Sequence, residues 1–154
     1  MSGARVPAWA RALVAAWAGA LAAIAFLAAP NAFATLATPD AGRYVARLFT
    51  LEAWMSLVLA LLLLFAEQRR ARVAAAQGAG SLMSGATLML LGAVFCTIAG
   101  HFGIEPMMVA ARSGQGAWSF GALHAASTVL YALKGVLVIV LAWRWAPAST
   151  EPSG

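Results

Sequence analysis

Most residues of this chain that could do chemistry fall between Cys96 and Lys134: His101, His124, the sole cysteine, Glu105 beside Pro106, the adjacent Met107 and Met108, and a lysine inside an apolar run. Glu52, far upstream, joins them as a carboxylate set in apolar surroundings. Imidazoles, carboxylates, a thiol and thioethers together would suit zinc or copper. Two histidines on neighbouring helices could equally hold a haem between them. They could also hydrogen-bond across helices and do nothing else. No H-x-x-E-H or C-x-x-C spacing is present, so His101, His124, Glu52 and Glu105 are candidate ligands with no motif to choose the ion. Hydrolytic and transfer chemistry has no support, because G-x-S-x-G, H-E-x-x-H and a phosphate-cradling glycine loop are all absent. No catalytic residue is assigned.

Composition decides the setting. The chain is 63% hydrophobic and 10% charged, with a mean hydropathy of +0.84, whereas a soluble domain has about a quarter of its residues charged. At 154 residues it reads as one integral membrane domain, an all-α four-helix bundle. In a soluble chain the net charge of +5 would suggest nucleic acid. Here the arginines sit between apolar runs, where they orient the protein and meet anionic lipid heads. The expected partner is therefore the lipid bilayer and not nucleic acid. A single cysteine excludes an internal disulfide.

Four spans are expected, at residues 8–29, 48–66, 82–103 and 120–145, with a disordered tail over 146–154. Basic residues, an apolar core and Ala32-Phe33-Ala34 also describe a cleavable signal. The apolar part after Arg11 runs about 18 residues, longer than a signal core and near the roughly 20 needed to span, so the first helix is read as retained. Residues 30–47 read as a connector with two prolines, and EQRRARVAAAQGAGS as a tight basic loop. Small residues recur every fourth position at Ala15, Gly19 and Ala23 and again at Gly92, Cys96 and Gly100. Such faces serve internal packing or a homo-oligomer equally well. No internal repeat stands out. Arg5, Arg11, Arg69, Arg70, Arg72 and Arg144 lie on one side, against Arg43, Arg47 and Arg112 on the other. Six against three puts both termini in the cytoplasm.

With that topology Glu52, His101, Glu105 and His124 should share one depth near the outer face. His101 and Glu105 are four apart, on one face if the helix continues, although Pro106 should break it near Glu105. On the fourth span His124, Ser127, Thr128, Tyr131 and Lys134 form a polar stripe. Lys134 then lies about 15 Å below His124. A lysine at that depth costs about 2.5 to 3.5 kcal/mol on insertion scales. It either attracts an anionic group or relays protons, or it snorkels to the headgroups and pairs with a carbonyl.

Glu105-Pro106 closing the third segment, then Phe120 and Leu123-His124 with small or hydroxyl residues through Ser127, resembles the transmembrane protein 205-like family. Pro30, Phe33, Leu36, Gly42 and Leu48-Phe49 agree with that resemblance, which covers roughly residues 15 to 143. Ala125 departs from it, standing where a glycine is expected. The resemblance implies a four-helix membrane domain without established biochemistry and a retained first helix. Through a relative linked to platinum-drug resistance it also implies handling of soft metals or vesicle traffic.

Overall fold

The computed structural model describes residues 5–78 and 83–147. Leu82, at the expected start of the third span, and residues 148–154 of the expected tail lie outside the described residues. Among the described residues, four helices are long and apolar enough to cross a membrane: α1 (Ala8–Thr35), α2 (Thr38–Ala76), α3 (Gly85–Arg112) and α4 (Phe120–Trp145). The architecture is the expected all-α membrane bundle.

The helices run further than their apolar cores. Apolarity stops at residue 66, but Glu, Gln, Arg and Ala are strong helix formers, so α2 continues through Glu67-Gln68-Arg69-Arg70 to Ala76. It ends at Gly78, whose φ of 73° suits a residue without a side chain. At its other end α2 starts ten residues before the apolar run. Pro39 sits in its first turn, where no N–H is required, and Asp40 there faces the positive end of the helix dipole. Only Leu36 and Ala37 separate it from α1.

The two interior prolines are absorbed rather than obeyed as breaks. A proline has no N–H to donate, and its ring collides with the carbonyl one turn back. A π-helical segment precedes each one, Ile24–Ala28 before Pro30 and Ile98–Ile104 before Pro106. There the N–H of Ala29 bonds Ile24 O, and that of Glu105 bonds Gly100 O, each reaching five residues back. The wider turn moves the offending carbonyl aside and the helix goes on. The break expected at Pro106 is therefore a bulge.

These features recur in order. Each half of the chain is a helix with a π segment and a proline, followed by a long helix returning the other way, and Phe26…Pro30 matches Phe102…Pro106 in spacing. The repeat is structural, carried by two residues in each half, too few to stand out in sequence. The helices form a square in which α1 and α3 each pack against both α2 and α4. The two returning helices, α2 and α4, thus lie on a diagonal across the bundle axis. Gly92 lets α3 approach α4, because a Cβ there would stand 2.9 Å from Leu137 Cδ1. Its small-residue face is used inside the bundle, whereas Ala15, Gly19 and Ala23 are exposed.

Packing is uneven along the axis. The apolar core joins Ala10, Val14, Trp17 and Leu21 to Ala60, Leu63 and Ala66, to Ala86, Leu90 and Ala93, and to Val138, Leu141 and Trp145. All of these lie in the half nearer the Arg69–Arg72 end of α2. Among the described residues, the buried apolar side chains in the half towards Thr38 and Phe120 are Ala32, Ala41 and Leu123, with Ala53 beside Glu52.

Candidate functional site

Polar side chains gather at three levels. The middle level lies where the packed half ends. Glu52 and Lys134 each stand about 21 Å below the start of their helices, taking 1.5 Å per residue. They meet across the diagonal: Lys134 Nζ donates to Glu52 Oε1 and Oε2, both at 2.8 Å. Both residues are only 3% exposed. Ser56, one turn on, also donates to Glu52 Oε1, and the Trp17 indole N–H donates to Ser56 Oγ at 2.9 Å. The lysine Nζ lies 4.9 Å from the Tyr131 ring centroid, and the Tyr131 hydroxyl donates to Leu21 O at 3.0 Å. One network therefore ties α1, α2 and α4. Such a pair strongly resists losing one partner, because the other charge is left buried and alone.

Between that level and the open end, about 10 to 16 Å below the Arg112 end of α3, His101 Nδ1 pairs with Glu105 on the same face of the helix. The continued helix keeps them one turn apart. Phe102 orients the site, meeting the His101 ring edge-on at 4.8 Å and Trp54 of α2 at 5.5 Å. His101, Phe102, Glu105, Pro106 and Val109 line an open cleft of about 360 Å³.

The four residues expected at one depth are thus divided. Glu52 sits with Lys134, because α2 begins at Thr38 and carries Glu52 deeper than the apolar run implies. His101 and Glu105 pair on α3 in the same half, between the Glu52 level and the open end. His124 is exposed and stacks on Phe120 at 5.8 Å, and the Arg112 guanidinium lies 4.7 Å from that same ring. Cys96 is buried below His101. Among the described residues no three of His, Cys, Asp and Glu converge as a metal site would require.

The third level lies at the arginine-rich end and was not visible as a site in the sequence, where Glu67 falls in what reads as a loop. It is 1% exposed. It takes a two-pronged bond from Arg70 at 2.8 and 2.6 Å and a bond from the Ser84 hydroxyl at 2.5 Å. Ser84 also caps α3 by accepting the Thr87 N–H at 3.1 Å. The usable signal was the helix-forming run around Glu67 with Arg70 three residues on. Replacing Ser84 with alanine is expected to cost about 1–3 kcal/mol, since it removes a cap and a donor to a buried carboxylate. The check is a thermal melt followed by a thiol-reactive dye on Cys96, the sole and buried cysteine. An unchanged midpoint would show that this junction does not hold the helices.

Four apolar helices around a buried charge pair define a multi-pass integral membrane protein. Its family follows from comparison: residues 12–117 match the model of a domain of unknown function, DUF4149, and the chain belongs to that family. The match spans α1 to α3 and ends before α4, so His124 and Lys134 lie beyond it. No curated protein and no solved structure matches the chain.

Proposed function

We propose that this chain is a transmembrane protein 205-like protein of a bacterial inner membrane, with both termini cytoplasmic. In this reading it handles a small cation, a metal ion or a cationic solute, in a cleft within the outer half of the bundle. The observation that carries the reading is the His101–Glu105 pair on the wall of an open cleft. A carboxylate, an imidazole and an aromatic neighbour together favour positive charge over negative. Two protein donors leave most of an ion's coordination to water, which suits brief capture and not storage. The arginine count supports the orientation. Arg144 belongs to the same end as Arg69–Arg72, since its Nη1 lies 3.2 Å from where a Gly85 Cβ would stand. Haem finds no comparable support, because His101 and His124 turn to different partners.

The test is calorimetric titration of the protein in lipid nanodiscs with zinc, copper and tetramethylammonium. At least one is expected to bind, and His101→Ala and Glu105→Gln should each weaken it by about tenfold or more, as loss of a ligand or its orienting partner does. His124→Ala should leave it unchanged. If none of the three binds, or if the His101 and Glu105 variants bind as well as the parent, the reading fails and a non-catalytic scaffold takes its place.

A further inference from the structure

We propose that the cation taken by the His101–Glu105 cleft is amphiphilic, an organic cation with an apolar chain, which enters sideways from the lipid and seats its charged head between Glu105 and the Phe102 ring. The inference rests on the reading of the cleft as a cation site and names its ligand class.

Charge points to Glu105. Asp40 pairs with Arg43, Glu52 with Lys134 and Glu67 with Arg70. Alone of the described acids, Glu105 has an imidazole in place of a lysine or arginine. With His101 donating its Nδ1 proton to Oε2, the pair keeps one negative charge, and Glu105 Oε1 has no partner among the described residues. The turn itself does not call for these groups. Counted from Phe26 and Pro30, α1 has Ala25 and Ala29 where α3 has His101 and Glu105, and it forms a π segment all the same. The corresponding groove on α1, lined by Phe26, Leu27, Pro30, Asn31 and Ala34, carries no charge. The acid and imidazole on α3 are therefore additions to a turn that folds without them.

Surroundings give the ligand its apolar part. Phe95, Ile98, Phe102 and Val109 are exposed at helical spacing along one face of α3, and Leu51, Trp54 and Val58 along one face of α2. On spanning helices such faces meet acyl chains. Trp54 touches Phe102 where the two faces adjoin, and Phe102 and Val109 are themselves walls of the cleft, so its mouth opens onto lipid. At 1.5 Å per residue α3 is about 42 Å long, against a hydrocarbon core of about 30 Å. A pair about 10 to 16 Å from its end thus lies within the acyl region. A hydrated metal ion would have to shed water there for two donors, with no third ligand among the described residues. An amphiphile reaches the same depth at little cost, its chain in lipid and its head on the carboxylate and ring. The volume of about 360 Å³ suits a head group, since whole small molecules take about 300 to 1,000 Å³.

The test titrates octyltrimethylammonium, tetramethylammonium and zinc into the protein in lipid nanodiscs, with empty nanodiscs subtracted. The two ammonium ions carry a fixed charge and differ in the apolar chain. Octyltrimethylammonium should bind saturably and at least about tenfold tighter than tetramethylammonium, because its chain stays out of water. Glu105→Gln should weaken it about tenfold or more, Phe102→Leu about two- to thirtyfold, and Asp40→Asn, an acid already paired, not at all. Phe102→Leu keeps the question open to test should Glu105→Gln shift the Cys96 dye melt. Fluorescence quenching by brominated acyl chains, read as the difference between the parent and Trp54→Phe, should reach Trp54 and be relieved by octyltrimethylammonium. Equal affinity for the two ammonium ions, undiminished octyltrimethylammonium binding in both variants, or no quenching of Trp54 overturns the inference. If zinc or tetramethylammonium binding still depends on Glu105 in that case, the cation reading stands without it. If no cation binds, both fall.

Discussion

Replacing Lys134 with methionine should destabilise the folded protein by about 3–5 kcal/mol, the usual cost of stranding one member of a buried ion pair. Glu52 is 3% exposed and would keep only the Ser56 hydroxyl. Glu52→Gln strands the ammonium instead and should cost a similar amount. The double variant Glu52→Gln/Lys134→Met removes both charges and is expected to recover most of the loss, since well-packed neutral groups often match or exceed a buried pair. Cys96 reports all of these through its dye melt, being 3% exposed when folded. Should the Lys134 variant melt with the parent, or should the double variant be worse than both singles, the pair is not what holds α2 to α4.

The second large effect is expected at Trp17. Truncation to alanine empties a site that is 1% exposed at the boundary between core and charge pair, and aromatic-to-alanine changes in packed interiors cost about 3–5 kcal/mol. Trp17→Phe fills most of that space but removes the donor to Ser56, a loss of about 1–3 kcal/mol for an unsatisfied buried partner. The order parent, phenylalanine, alanine is therefore predicted for the same melt. Equal midpoints for phenylalanine and alanine would mean that the hydrogen bond dominates and the ring contributes little. Because Ser56 also donates to Glu52, the Trp17 and Lys134 variants should be non-additive, as residues of one network are.

Much of the fold was legible because a bilayer writes its demands locally. Each span needs about 20 apolar residues and internal backbone bonding, and all four apolar runs became helices. The His101–Glu105 pair was legible for the same reason, since four-residue spacing on a helix is a local fact. The proline after it was misleading, because a π turn can absorb what an α turn cannot. The true lengths of α2 were misread at both ends. Apolarity marks where a helix meets lipid, whereas helix propensity and caps mark where it stops.

Sequence alone therefore determined the class of protein, the number and course of its helices, and the i, i+4 pair on the third of them. Tertiary structure alone decided that Glu52 belongs to Lys134. A start ten residues earlier lowers Glu52 by about 15 Å along the helix, to the level of the lysine. The packing of α1 and α3 between α2 and α4 then turns the two charges towards each other across the axis. No local pattern encodes that meeting, because it depends on where two separate helices begin and on which diagonal they share.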